Sequence, residues 1–140
     1  MCMTIKMHFD ISGDDFTRAG EASGKVKSKL KQLGISPDAV RRTAIALYEG
    51  EINLVIHAGG GEIDVTISPE SVEMVLSDKG PGIADVEKAM TEGFSTASEN
   101  IRSLGFGAGM GLPNMKKYSD QMKIDTKLGV GTTIFMKVNL

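Results

Sequence analysis

Four short stretches carry residue types whose spacing could support chemistry. The first is Glu49-Gly-Glu-Ile-Asn53. On a helix, Glu49, Asn53 and His57 fall at i, i+4 and i+8 and share one face. A carboxylate and an amide oxygen one turn apart can hold a water beside a hard cation. Magnesium favours such oxygen ligands and leaves much of its shell to water and phosphate. The same spacing is common on wetted helix faces, so alone it leaves both readings open. Gly50 is an oddity there, because glycine inside a helix costs about 1 kcal/mol relative to alanine. The second stretch is Asp78-Lys-Gly80-Pro-Gly82, directly after a run of alternating apolar residues. Its glycines allow close approach of backbone to a ligand, and a carboxylate at a strand end can accept from an amino group. An ordinary turn uses the same residues. The third is Gly105-Phe-Gly107-Ala-Gly109-Met-Gly111-Leu112, leading into an amphipathic segment. Alternating glycines expose consecutive N–H groups, and a helix N-terminus adds partial positive charge, which together make a phosphate cradle. No Gly-Lys-Ser/Thr follows, so it is not a Walker loop. The fourth is Gly129-Val-Gly131-Thr132-Thr133, whose glycines a hairpin turn explains; only Thr132 hints at more.

Positioning these residues requires a particular run of elements. Ile5, Met7 and Phe9 alternate and predict a strand over residues 4–9. Ala22, Val26, Leu30 and Leu33 recur at helical spacing and predict a helix from about residue 15 to 33, stopped by Gly34. Ser36-Pro37-Asp38 restarts a helix with an N-cap, a proline at its first position and an acid in its first turn. That helix should run to about His57, where Gly59-Gly60-Gly61 ends it. Residues 62–68 alternate on Ile63, Val65 and Ile67. After Pro69-Glu70 the alternation resumes on Val72, Met74 and Leu76, which predicts a hairpin. A short helical stretch at 85–90, a helix from near 109–112 to Ser119, and strands around 122–126 and 134–138 complete the chain. This order suits an α+β fold: a two-layer α/β sandwich with a mixed, mostly antiparallel sheet.

Composition narrows the class. The chain has 140 residues, 41% of them hydrophobic, enough for the core of a single domain over residues 1–140. Sixteen Lys/Arg against eighteen Asp/Glu leave a formal charge of −2, which gives no basic excess for direct nucleic-acid binding. Cys2 is the single cysteine, so an internal disulfide or a cysteine-based metal site is excluded and a reducing, cytoplasmic setting is expected. No apolar run approaches the ~18 residues of a membrane span, and the first ten residues do not read as a signal peptide.

In this order the four stretches resemble the ATPase superfamily shared by gyrase B, MutL and sensor histidine kinases. Glu49–Asn53 matches its N-box, Asp78–Gly82 its first glycine box, Gly107–Leu112 its second, and Gly131-Thr132 its closing element. The resemblance covers roughly residues 36–138. Within the superfamily, the small size and Glu92-Gly-Phe-Ser-Thr96 are most similar to the anti-sigma-factor and stress-switch serine/threonine kinases. The resemblance implies a histidine-kinase-like ATPase fold with helices on one face of the sheet. It implies ATP and Mg2+ as ligands, and a protein partner, either a small antagonist domain phosphorylated on Ser or Thr or a sigma factor. It further implies that Asp78 bonds the adenine amino group with Thr132 close by, and that Asn53 ligates magnesium. Gly80 and Gly82 of the first glycine box, Ser95 and Thr96 would contact the nucleotide. Gly107, Gly109, Gly111 and Leu112 would wrap the phosphates, and Glu49 would be the general base. Residues 91–108 would form a lid. Related switch proteins are often dimers, so a homodimer is a further expectation.

The alternative is a nucleotide-dependent switch module that binds a partner without phosphorylating it. Glu49 favours the kinase, since a pure binder has little need of a base. A fragment of a sensor histidine kinase fits less well. Such enzymes need a phosphoacceptor histidine on a dimerising helix, and the histidines here are His8 in a predicted strand and His57 beside the site. Arg102 is read as a surface charge.

Overall fold

The computed structural model describes residues 4–13, 16–83, 90 and 111–140. Strand β1 spans Ile5–Ser12, with Ile5, Met7, Phe9 and Ile11 more covered than the polar residues between them. A single 3-10 turn, Phe16–Arg18, precedes helix α1 at Glu21–Gln32. The helix therefore starts later than the predicted residue 15. Gly20, at φ +95°, sits in the left-handed region and cannot continue a helix backwards. At the other end Gly34 adopts φ +74° and stops the chain where expected.

Helix α2 spans Pro37–His57. The Ser36 hydroxyl accepts from the Ala39 N–H at 3.3 Å, with Pro37 at the first helical position, so the cap read from sequence is formed. Strands β2, Gly60–Ile67, and β3, Ser71–Asp78, make the predicted hairpin, closed by the Ser68 N–H on the Ser71 carbonyl at 2.9 Å. Of the glycine triplet, Gly59 at φ +72° follows the helix, whereas Gly60 and Gly61 already belong to β2. A side chain at Gly60 would overlap the Ile11 carbonyl, so this glycine also serves close strand pairing. Helix α3, Gly111–Tyr118, and strands β4, Gln121–Lys127, and β5, Gly131–Asn139, follow.

The sheet order is β1-β2-β3-β5-β4 and all four pairings are antiparallel. The α+β two-layer expectation holds, with a sheet among the described residues that is antiparallel rather than mixed. Register places Met7 opposite Val65, Val65 opposite Met74, and Met74 opposite Met136. Ile63, Val65, Ile67, Val72, Met74, Leu76, Ile134, Met136 and Val138 are each at most 4% exposed and share one face. Val26 and Leu30 of α1, Leu47 and Leu54 of α2, and Met115 of α3 complete that core. The opposite face carries Lys6, His8, Asp10, Glu62 and Asp64, so the described helices all cover one side. No described helix is long and apolar enough to cross a membrane.

Helix α2 lies at the centre of the helical layer, touching α1, α3 and the sheet. This resolves the Gly50 oddity. A β-carbon there would overlap the Leu76 side chain and lie 3.4 Å from the Met115 sulfur. Leu76 is 1% exposed in the close-packed core, so the overlap would force it to shift. Glycine lets the helix settle onto β3, which offsets its poor helix propensity.

Candidate functional site

The site is built along one face of α2. Glu49 is half-buried, and its Oε1 accepts from Asn114 Nδ2 of α3 at 3.3 Å. Burial pushes the Glu49 carboxyl above its ordinary range, and the Asn114 bond partly offsets this. Gly111, the first residue of α3, is close enough that a β-carbon on it would lie 3.9 Å from Glu49 Oε2. The start of α3, whose first N–H groups have no acceptor within the helix and carry partial positive charge, is therefore beside the carboxylate. One turn further along α2, Asn53 is half-buried and its amide makes no hydrogen bond to another described residue. A further turn on is His57, whose imidazole burial holds below its ordinary pKa.

Asp78, the last residue of β3, marks the other end. Its Oδ1 accepts from the Gly80 N–H at 2.8 Å and the Thr132 N–H at 3.3 Å. The two bonds fix the carboxylate and leave Oδ2 without a partner among the described residues. Thr132 is buried, and its hydroxyl pairs with that of Thr126 at 2.8 Å, which in turn accepts from the Ile83 N–H at 2.9 Å. Gly80 packs on the end of α2, where a β-carbon would lie 3.0 Å from the Ala58 Cα. Gly82 adopts φ +81° with its Cα turned to the Lys127 carbonyl, 2.6 Å from where a β-carbon would sit. Gly131 was explained from sequence as a turn glycine, and that explanation is incomplete. It is buried at φ +146°, and a side chain would overlap the Asp78 carbonyl. Close approach to Asp78 is its second requirement.

The two ends are joined by the same helix. Glu49 and His57 are eight residues apart, roughly 12 Å along α2. A polyanionic tail matches the α3 N-terminus at one end, and an amino-bearing ring matches Asp78 at the other. Glu49 and Asn53 line α2 with Gly111 beside Glu49, Gly80 packs on the end of α2 and shares Asp78 Oδ1 with Thr132, and Gly82 packs on Lys127 instead. Leu112 turns its side chain into the core, so only its backbone can face a ligand. Ser95, Thr96, Gly107 and Gly109 lie outside the described residues, as do Arg102, the lid over 91–108 and most of the stretch 85–90.

Two residues were missed by sequence reasoning. Asn114 is an ordinary polar residue of α3 until the helix is docked beside Glu49. Glu51 was given no role from sequence, and it is 2% exposed. Its Oε2 accepts from the Gly20 and Ala22 N–H groups at 3.0 and 3.2 Å, and its Oε1 from the Ser23 N–H at 3.0 Å. Gly20 has no side chain to cap α1, and Glu51 does so from α2. The only local sign was a helix opening on glycine.

The profile of the family described as histidine kinase-, DNA gyrase B- and HSP90-like ATPase matches residues 38–140. The chain is 32% identical over 112 residues to the serine/threonine-protein kinase RsbT of Bacillus subtilis, covering 77% of this chain and 78% of that protein. It is 30% identical over 148 residues to the anti-sigma F factor of the same organism, covering 99% and 94%. Among solved structures, the RsbU and RsbW domains of a Mycobacterium tuberculosis protein align with a TM-score of 0.61 at 14% identity, over 96% of this chain and 32% of that one. The mycobacterial sensor histidine kinase MprB aligns with a TM-score of 0.54 at 18% identity, covering 96% and 97%. These two structural likenesses bear on the fold alone.

Proposed function

We propose, from the premise that the chain belongs to the histidine kinase-, DNA gyrase B- and HSP90-like ATPase family, that it is an ATP-binding serine/threonine protein kinase of the anti-sigma regulatory type. It would transfer the γ-phosphate to a Ser or Thr of a small partner protein. The names of its relatives, a serine/threonine kinase and an anti-sigma factor, support both the reaction and the protein partner. The observation that carries the reading is a pair of polar groups at the two ends of the α2 stretch from Glu49 to Ala58. Asp78 keeps one carboxylate oxygen without a partner among the described residues at one end, and Glu49 stands beside the start of α3 at the other.

In this reading Asp78 Oδ2 accepts from the adenine amino group, with Thr132 holding the carboxylate in place. The N–H groups at the start of α3 receive phosphate oxygens. The Asn53 amide, without a partner among the described residues, fits a hard cation, and magnesium held there would neutralise phosphate charge during transfer. Glu49 takes the proton of the attacking hydroxyl. The new oxygen–phosphorus bond forms as the bond from the γ-phosphorus to the bridging oxygen breaks, and ADP leaves. Partial burial makes Glu49 a stronger base than an exposed glutamate.

The test is calorimetric titration with ATP, with and without magnesium, followed by labelled-phosphate transfer to small antagonist-type proteins from the same source. Asn53→Ala should remove the magnesium-dependent part of ATP affinity. Glu49→Gln should keep ATP affinity within about threefold and lower transfer by at least the 10²-fold expected of a general base. Undiminished transfer by Glu49→Gln would remove the base assignment, and absence of binding at millimolar ATP would remove the nucleotide site.

A further inference from the structure

The outward faces of α1 and α2 leave a groove of about 280 Å³ between them. Lys27 and Lys31, one turn apart on α1, line one side. Arg41 and Ile45, one turn apart on α2, line the other, and Ile35 and Pro37 add apolar surface. The volume lies below the usual 300–1,000 Å³ of small-molecule sites and suits a few inserted side chains. None of the groove's lining residues belongs to the candidate site, and Ile45 is one turn, roughly 6 Å, from Glu49 along α2.

Its charge is unusual for this chain. The protein carries a net charge of −2, yet residues 21–42 hold six Lys/Arg against only Glu21 and Asp38. Both acids are already engaged, Glu21 with Arg18 and Lys25, and Asp38 with Arg41 and Arg42. Among the described residues no carboxylate pairs with Lys27 or Lys31. The groove is therefore a largely apolar trough, with Lys27 and Lys31 unpaired among the described residues along its α1 side.

We propose that this groove docks an acidic amphipathic helix of a protein partner. The inference rests on the reading of the chain as a protein-directed regulator and names the surface that would receive such a partner. A trough between two neighbouring helices accepts a third helix, whose apolar residues at i and i+3 or i+4 enter it. Acidic residues flanking that stripe meet Lys27 and Lys31, which adds steering and register. A nucleic acid has phosphates for the rim but no apolar stripe for the trough. A membrane is met by protruding apolar side chains, and this surface is concave.

The test is selection of binders from a displayed library of random 16-residue peptides, followed by fluorescence titration of the selected peptides. Selected sequences should carry apolar pairs three or four residues apart flanked by Asp or Glu. Their affinity should fall at least tenfold for Lys27→Glu/Lys31→Glu, and several-fold for Lys27→Ala/Lys31→Ala, and should weaken with salt. Helical content and Mg-ATP affinity should be unchanged in both variants, so loss of docking is distinct from loss of the nucleotide site. The proposal is overturned if no peptide is selected, if selected peptides lack acidic residues, or if they bind the charge-reversed variant equally well. It is also overturned if the protein instead adsorbs to phosphatidylserine-containing vesicles through the same lysines. Failure of the wild type to bind ATP while peptide docking persists would refute the proposed function and leave the groove standing.

Discussion

Glu49 and Asn53 are one turn apart on α2 and meet different surroundings. Both are half-buried, but the Asn53 amide has no partner among the described residues, whereas Glu49 is bonded to Asn114. A raised carboxyl pKa means that folding favours the protonated form, so the stability it contributes is present at low pH and lost as pH rises through the raised value. At neutral pH the ionised group is a small liability. Glu49→Gln keeps an acceptor for Asn114 without the charge, so urea denaturation at pH 7 should show a variant at least as stable as the wild type. The same shift places the acid limb of the transfer rate above the ordinary 4.5. The two histidines provide a second check. The carboxylates of Asp64 and Asp10, at 2.7 and 3.1 Å from the ring nitrogens, raise His8, whereas burial lowers His57. An NMR pH titration should find them on opposite sides of 6.5. The contribution of His8 is present below 6.5 and lost as pH rises through its raised value. That of His57 is present above 6.5 and lost as pH falls through its lowered one.

At the scale of elements, α1 is held at its N-terminus by a residue of another helix. Removing the Glu51 carboxylate leaves three N–H groups without their acceptor in a buried place. Glu51→Ala should cost about 2–4 kcal/mol, well above an ordinary lost cap, and Glu51→Gln somewhat less. Hydrogen exchange at Gly20, Ala22 and Ser23 should accelerate in step with the loss. Unchanged exchange there would mean that α1 is held by its packing instead. Gly50 decides a competition between local and tertiary terms. Alanine gains about 1 kcal/mol of helix propensity, but the β-carbon would overlap Leu76, and overpacking of this kind costs about 1–3 kcal/mol. Gly50→Ala should therefore lower the urea midpoint. A raised midpoint would show that Leu76 yields.

Across the whole molecule, α2 ties together the sheet, α1, α3, the candidate nucleotide site and the groove. Arg42 adds a clamp near its start, bonding Asp38 and Asp120, while Asp120 also accepts from the Asn139 N–H at 2.7 Å. A ligand that spans α2, α3 and the ends of β3 and β5 should stabilise the fold as a unit. With Mg-ATP at a hundred times its Kd, the gain is about 2.7 kcal/mol, a Tm increase of roughly 8 °C for a chain of this size. Calorimetric melting checks this, and Asn53→Ala should show much less of the shift. An equal shift in both would separate nucleotide binding from Asn53.

Much of this protein was determined by the sequence alone. Ser36-Pro37 opens α2, Gly34 closes α1, and the alternation of Ile63, Val65 and Ile67 places β2 with its apolar face inward. These signals act within a few residues, through capping, permitted φ and side-chain periodicity. The spacing of Glu49 and Asn53 and the glycines after Asp78 were legible for the same reason. Tertiary structure decided the rest. α1 begins at Glu21 because Gly20 turns left-handed and Glu51 caps the helix from about thirty residues away. Gly50 is required by Leu76, Gly131 by the Asp78 carbonyl, and Asn114 reaches Glu49 only when α3 is docked. Each of these depends on where rigid elements come to rest against one another, and that placement is set by packing of the shared core, not by any pattern within one element.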